Sequence, residues 1–217
     1  MIKLAIFDLD GTLINSLGDL ADATNKALTD FGFPRHEEDK YRYFVGNGAK
    51  KLIERALPDG TPDDVRQRVF DRYSDYYREG CMNRTKPYDG MPALVKQLRE
   101  GGIKCAVASN KPDEFSKRIV RELLGADSFD LVRGKRDDTP TKPAPDIVYG
   151  ICAELGCEVG EAVMIGDSNV DVATAHNAGI SCIGCTWGFR GERELREAGA
   201  DFIAYTPNDI ARTVGIE

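Results

Sequence analysis

Asp8 and Asp10 stand two apart where a short apolar run, Lys3-Leu4-Ala5-Ile6-Phe7, gives way to Gly11-Thr12. Two carboxylates leaving a buried strand into a glycine turn can converge on one hard cation, and Gly11 permits close backbone approach. An Asx turn capping a helix would use the same residue types. Three later segments offer comparable choices. Ser109-Asn110-Lys111 follows the apolar run 103–108 and presents a hydroxyl and backbone amides at a helix start, a seat for phosphate or an ordinary N-cap. Lys142-Pro143-Ala144-Pro145 sets an ammonium beside a proline that can open a helix, although a lone lysine is also a common surface residue. Gly166-Asp167-Ser168-Asn169-Val170-Asp171 brings two acids four apart to another helix entrance, suited to a cation or to capping.

The elements that must position these residues show in the apolar pattern. Short runs at 3–8, 103–108, 129–133, 161–166, 180–184 and 201–204 read as buried strands. Helical patterns fall between most of them, at 89–100, 113–124, 144–155, 169–178 and 190–198. Strand alternating with helix implies an α/β fold with an open, doubly wound, mostly parallel sheet, Rossmann-like in its core. Ligands bind such sheets beyond the carboxyl ends of the strands, and Asp8, Ser109 and Asp167 each fall at such an end. From Ser16 to about Gly80 the alternation stops. Only helical patterns appear there: one opening at Ser16 as N-cap, one over 48–57, and one over 62–79 with Thr61 and Pro62 at its N-cap and first turn. The expected organisation is a discontinuous core of residues 1–15 and 81–217 with an all-helical cap domain, 16–80, inserted after the first strand.

Composition narrows the function. The 217 residues carry a net charge of −7, with 41% hydrophobic and 30% charged residues. That suits a globular chain, and an acidic surface argues against nucleic acid as a partner. The first residues are too acidic and their apolar run too short for a signal peptide, and no apolar stretch reaches membrane-spanning length, so no membrane partner and a cytoplasmic location are expected. Cys182 and Cys185 match CxxC, but strand alternation would put their sulfurs on opposite faces, and no second pair or nearby histidine completes a zinc site. Six reduced, mostly buried thiols are expected. His36 and His176 lack an evident nucleophilic partner for a Ser-His-Asp arrangement.

Taken together and in order, Asp8-Leu9-Asp10-Gly11-Thr12, Ser109-Asn110, Lys142-Pro143 and Gly166-Asp167-Ser168-Asn169-Val170-Asp171 resemble the four motifs of the haloacid-dehalogenase-like hydrolase superfamily, over essentially the whole chain. The resemblance implies that Asp8 is a nucleophile forming an aspartyl-phosphate and that Asp10 is the general acid and base. It implies Mg²⁺ held by Asp8, the Asp10 carbonyl and Asp167, and phosphoryl binding by Ser109, Asn110 and Lys142. Asp171 and Thr12 would stand behind this set, Asp171 orienting Lys142 or metal-bound water. Dehalogenases of this kind lack the second acid, so Asp10 favours phosphoryl chemistry.

The 16–80 insertion matches the family's helical cap, and Phe44-Val45-Gly46-Asn47-Gly48-Ala49-Lys50-Lys51-Leu52-Ile53-Glu54-Arg55 resembles the cap of phosphoglycolate phosphatases. That implies a small phosphorylated metabolite such as 2-phosphoglycolate, with Asn47, Lys50 and Arg55 reading its carboxylate, in a monomer or weak dimer. β-Phosphoglucomutase-like and pyrophosphatase-like relatives share the core motifs. A non-catalytic metabolite-binding module is the more distant alternative, since a pure binder gains nothing from a nucleophile that repels its anionic ligand.

Overall fold

The computed structural model describes residues 1–216. Six strands form one parallel sheet: β1 (Leu4–Phe7), β4 (Lys104–Pro112), β5 (Leu131–Lys135), β6 (Ala162–Gly166), β7 (Ser181–Cys185) and β8 (Phe202–Ala204). Their order is β5-β4-β1-β6-β7-β8. β1 is central, with Leu4 paired to Lys104 on one side and to Ala162 on the other. Its four side chains are fully buried on alternate faces: Ala5 and Phe7 enter one apolar cluster, Leu4 and Ile6 the other. A strand covered on both faces reads as an unbroken apolar run, which is why the sequence reveals it.

Chain order reverses at β1, since β4 and β5 lie on one side and β6 to β8 on the other. The crevice at this switch point collects the carboxyl ends of β4, β1 and β6. β4 runs four residues beyond the expected 108, and its register with β5 shifts between Ala108 and Pro112. Such an irregularity re-aims side chains beside a site. Here it turns Ser109, Asn110 and Lys111 into the crevice.

Helices α5 (Met91–Glu100), α6 (Asp113–Leu123), α7 (Asp146–Leu155), α8 (Asn169–Ala178) and α9 (Gly191–Ala198) follow the expected alternation. A last helix, α10 (Pro207–Val214), was not anticipated. Its signal was present, with Thr206 and Asp209 forming a capping box around a first-turn Pro207. Cys182 packs in one apolar cluster and Cys185 in the other, as alternation requires, and all six thiols are free.

Between β2 (Ile14–Asn15) and β3 (Lys86–Pro87) lie only helices: α1 (Leu17–Asp30), α2 (Tyr41–Phe44), α3 (Ala49–Ala56), α4 (Asp63–Gly80) and a single 3₁₀ turn at Glu38–Lys40. β2 and β3 pair antiparallel, so the chain leaves for the helices and returns through one narrow stem. Two-residue strands carry no periodic signal, and the sequence did not reveal them. Buried Asp19, in the first turn of α1, accepts hydrogen bonds from the Arg84 and Thr85 amides and from the Thr85 hydroxyl, tying the returning chain to α1. One expected cap keeps its position without its bond, and the other moves. Ser16 occupies the N-cap of α1 but makes no capping bond, its hydroxyl being taken by Asp10. α4 starts one residue late with Pro62 at its N-cap, because the Thr61 hydroxyl donates back to the Pro58 carbonyl.

No helix among the described residues is long and apolar enough to cross a membrane.

Candidate active site

β1 delivers Asp8 to the crevice, and the Asp8 amide donates to the Ile165 carbonyl on β6 at 2.8 Å. The chain then turns at Gly11, whose φ of +92° suits glycine and whose missing Cβ leaves room for the Asp167 carboxylate. Asp167 follows β6, and one of its oxygens accepts the Phe189 amide at 2.6 Å. Asp171, three residues into α8 as N3 of its capping box, accepts from the Ser168 amide and hydroxyl with one oxygen. Its other oxygen meets Lys142 Nζ at 2.7 Å, and Lys142 also reaches Asp8 at 2.7 Å. Lys142 is thus oriented by Asp171 and aimed at Asp8.

The electrostatics of this cluster are unbalanced. Ligand oxygens of Asp8, Asp167 and Asp171 lie within 4.8 Å of one another. Burial pushes the Asp8 carboxyl up to about 7, with the neighbouring Asp171 charge adding to it and Lys142 opposing. Burial also raises Asp167 well above the usual carboxylate range, reinforced by Asp171 and Asp8. For Lys142 burial works against the charge, but Asp171 and Asp8 outweigh it and hold the ammonium above its ordinary value. Three acids against one base leave unmet negative charge, and oxygen donors at this separation fit a hard divalent cation.

Asp10 stands apart from that cluster. Its carboxylate accepts from the Ser16 hydroxyl at 2.5 Å and pairs with Lys111 Nζ at 2.9 Å. Lys111 in turn donates to the Tyr77 hydroxyl on α4 at 2.7 Å. Neither Lys111, Ser16 nor Tyr77 was singled out from sequence as a site residue. Lys111 lies directly after Ser109-Asn110, but a lysine there has no partner spacing to mark it.

The remaining expected residues divide. Ser109 is buried at the end of β4, and its oxygen accepts the Lys111 amide. The Asn110 side chain is committed to structure: its oxygen accepts the Lys142 amide, and its nitrogen donates to the Lys142 and Gly46 carbonyls. Thr12 is fully buried, its carbonyl accepts Trp187 Nε1, and its hydroxyl is the one buried side-chain polar atom among the described residues without a partner.

Above the acids lies a cavity of about 70 Å³. Asp8, Asp10 and Ser109 to Pro112 form its floor, and Val45, Ala49, Leu52, Phe70 and Tyr73 are among its walls. Asn47, Lys50 and Arg55 do not line it. Arg55 donates to the Tyr43 and Phe44 carbonyls and to Asn47 Oδ1, so those two brace the loop before α3. Lys50 lies over the Phe70 ring at 5.8 Å, in a separate groove with Asp63 and Arg66. Ala49 faces the cavity, and one helical step of about 100° carries Lys50 off that face. Core and insertion also meet through Arg190, which donates to the Val45 carbonyl at 3.0 Å, and Arg42, which reaches the Gly188 carbonyl at 3.4 Å.

The profile of the haloacid dehalogenase-like hydrolases matches residues 5–185. The chain belongs to that family. Proteins named phosphoglycolate phosphatase are similar along nearly its full length: that of Haemophilus influenzae is 34% identical, with 99% of this chain and 97% of the relative covered. The Aquifex aeolicus protein of the same name is 32% identical, covering 97% and 96%. A crystal structure from Haemophilus somnus, described as a predicted phosphoglycolate phosphatase, superposes with a TM-score of 0.91 at 30% identity, covering 98% of this chain and 97% of that one. A Lactobacillus delbrueckii structure reaches 0.94 at 32% identity, covering 98% of both. Within the haloacid dehalogenase-like family the chain is therefore a phosphatase-type hydrolase, similar to the phosphoglycolate phosphatases.

Proposed function

We propose that this member of the family is a Mg²⁺-dependent phosphatase that hydrolyses 2-phosphoglycolate through an aspartyl-phosphate. The observation that carries the reading is the cavity over Asp8 and Asp10, small and holding a single cationic side chain, Lys111, among the described residues. A cavity of about 150 Å³ holds benzene, so one of about half that volume suits a short leaving group rather than a hexose. Its apolar walls suit a methylene better than the second phosphoryl group of pyrophosphate. The names of the relatives support the same substrate.

Asp8 would attack phosphorus, expelling the leaving oxygen, which takes a proton from Asp10. Asp10 would then take a proton from the water that opens the aspartyl-phosphate. Lys142, already on Asp8 at 2.7 Å, offsets repulsion between nucleophile and phosphoryl group. Ser109 and the backbone amides beside it would receive phosphoryl oxygens. Asp8, Asp167 and the Asp10 carbonyl would hold Mg²⁺, which supplies positive charge to the phosphoryl oxygens when bound. Residues 16–80 would act as a cap domain over a core of 1–15 and 81–217, excluding water from the site.

Phosphate release from a panel of phosphomonoesters and pyrophosphate, with Mg²⁺ and with EDTA, tests the reading. Expected is Mg²⁺-dependent turnover with 2-phosphoglycolate leading the panel. A wide preference for a hexose phosphate or pyrophosphate would overturn the substrate, and full activity in chelator would overturn the metal.

A further inference from the structure

Lys111 takes no part in the chemical steps above, yet it is a buried ammonium inside the substrate cavity, its side chain 4% exposed. Two acceptors hold it, Asp10 Oδ2 and the Tyr77 hydroxyl. An ammonium has three donors, so one remains for a ligand.

We propose that Lys111 is the specificity-determining residue for the substrate's carboxylate, in place of the cationic residues of the helical insertion. This rests on the phosphoglycolate reading. A substrate carboxylate entering an apolar-walled cavity needs a cation there, and Lys50 and Arg55 are turned to other partners. The contact to Asp10 adds a length preference. One ammonium bonded to both Asp10 and the substrate carboxylate holds that carboxylate close to the acid that serves the ester oxygen, which favours a short spacer between the two. Lys111 thereby selects for charge and for chain length with one group, and Tyr77 keeps it in place.

The test measures kcat/KM for 2-phosphoglycolate and for ethyl phosphate, which has the same skeleton without the carboxylate oxygens, in wild type, Lys111→Met and Tyr77→Phe. Because Lys111 also touches Asp10, Lys111→Met will slow both substrates. The expected signature is in their ratio, which should fall roughly ten- to a hundredfold with loss of a charge-assisted hydrogen bond. Tyr77→Phe, which keeps the charge, should raise KM for phosphoglycolate severalfold more than for ethyl phosphate. A ratio unchanged within about threefold in both variants, from a wild type that prefers phosphoglycolate, would overturn the assignment of Lys111 while leaving the substrate reading standing. If Lys111→Met fails to fold, Tyr77→Phe decides alone. A wild type without preference for phosphoglycolate would overturn the substrate reading itself, and this inference with it.

Discussion

The strand-end floor and the helical insertion hold their polar side chains in different ways. On the floor, charged side chains hold one another: Lys142 bridges Asp8 and Asp171, and Lys111 pairs with Asp10 while reaching up to the Tyr77 hydroxyl on α4 of the insertion. In the insertion loop, backbone carbonyls are gripped by Arg55 from α3 and by Arg190 from the core, and the cavity walls are mostly apolar. Charges that face each other across a buried site concentrate effect in single residues. Arginines that grip carbonyls spread it over a loop.

That contrast orders the expected effects. The largest belongs to Asp8→Asn, which should abolish turnover while leaving the fold intact. Activity within about tenfold of wild type, a barrier change of only ~1.4 kcal/mol, would exclude covalent catalysis. Next comes Lys142→Met, which strands Asp8 and Asp171 together without their base. Breaking a buried pair in this way costs about 3–5 kcal/mol, to be read from urea unfolding without metal. A loss below about 1 kcal/mol would mean the floor does not depend on this bridge.

A pH effect sharpens the same point. Burial raises the Asp8 carboxyl in the folded state from 3.8 to about 7. Over that window the folded chain holds a proton on Asp8 that the unfolded chain has released, so the contribution of Asp8 to the stability of the metal-free protein falls as pH rises from about 4 to 7. A cation on these acids competes with that proton, so the melting-temperature gain from Mg²⁺ should be larger at pH 8 than at pH 5. An equal gain at both pH values would place the metal elsewhere.

The insertion should answer more weakly and less selectively. Arg55→Ala should lower kcat/KM for phosphoglycolate and ethyl phosphate alike, by roughly tenfold, since it loosens the loop before α3 without removing a substrate contact. Lys50→Ala, which gives up only a contact on the Phe70 ring, should stay within about threefold. Loss confined to phosphoglycolate in either variant would move carboxylate recognition back to the insertion.

The same contrast explains what the sequence made legible. β1 and β6 are apolar runs buried on both faces, and the acids that follow them were found because strand ends are where such sheets place ligands. Lys111 was not found because its role depends on Asp10 and Tyr77, partners remote in sequence. Ser16 looked like a cap because serine at a helix start usually is one, and the nearby Asp10 carboxylate outcompeted the helix amides. Lys50 and Arg55 are basic residues on the expected helix, but helical phase and nearby carbonyls, invisible in composition, directed them elsewhere.

The pairing of β1 also bears on how the protein is made. Its strand partners lie at 104–107 and 162–165, so neither edge can be covered while only the first hundred residues have emerged from a ribosome. At about 5–20 residues per second, the nascent β1 segment spends seconds without either partner, a window in which a bare apolar strand invites aggregation. The acidic cluster matures later still, since Asp8 meets Asp167 and Asp171 only after β6 docks. A divalent cation held by these acids would therefore have no site on the early chain and would stabilise only a chain in which β6 has docked.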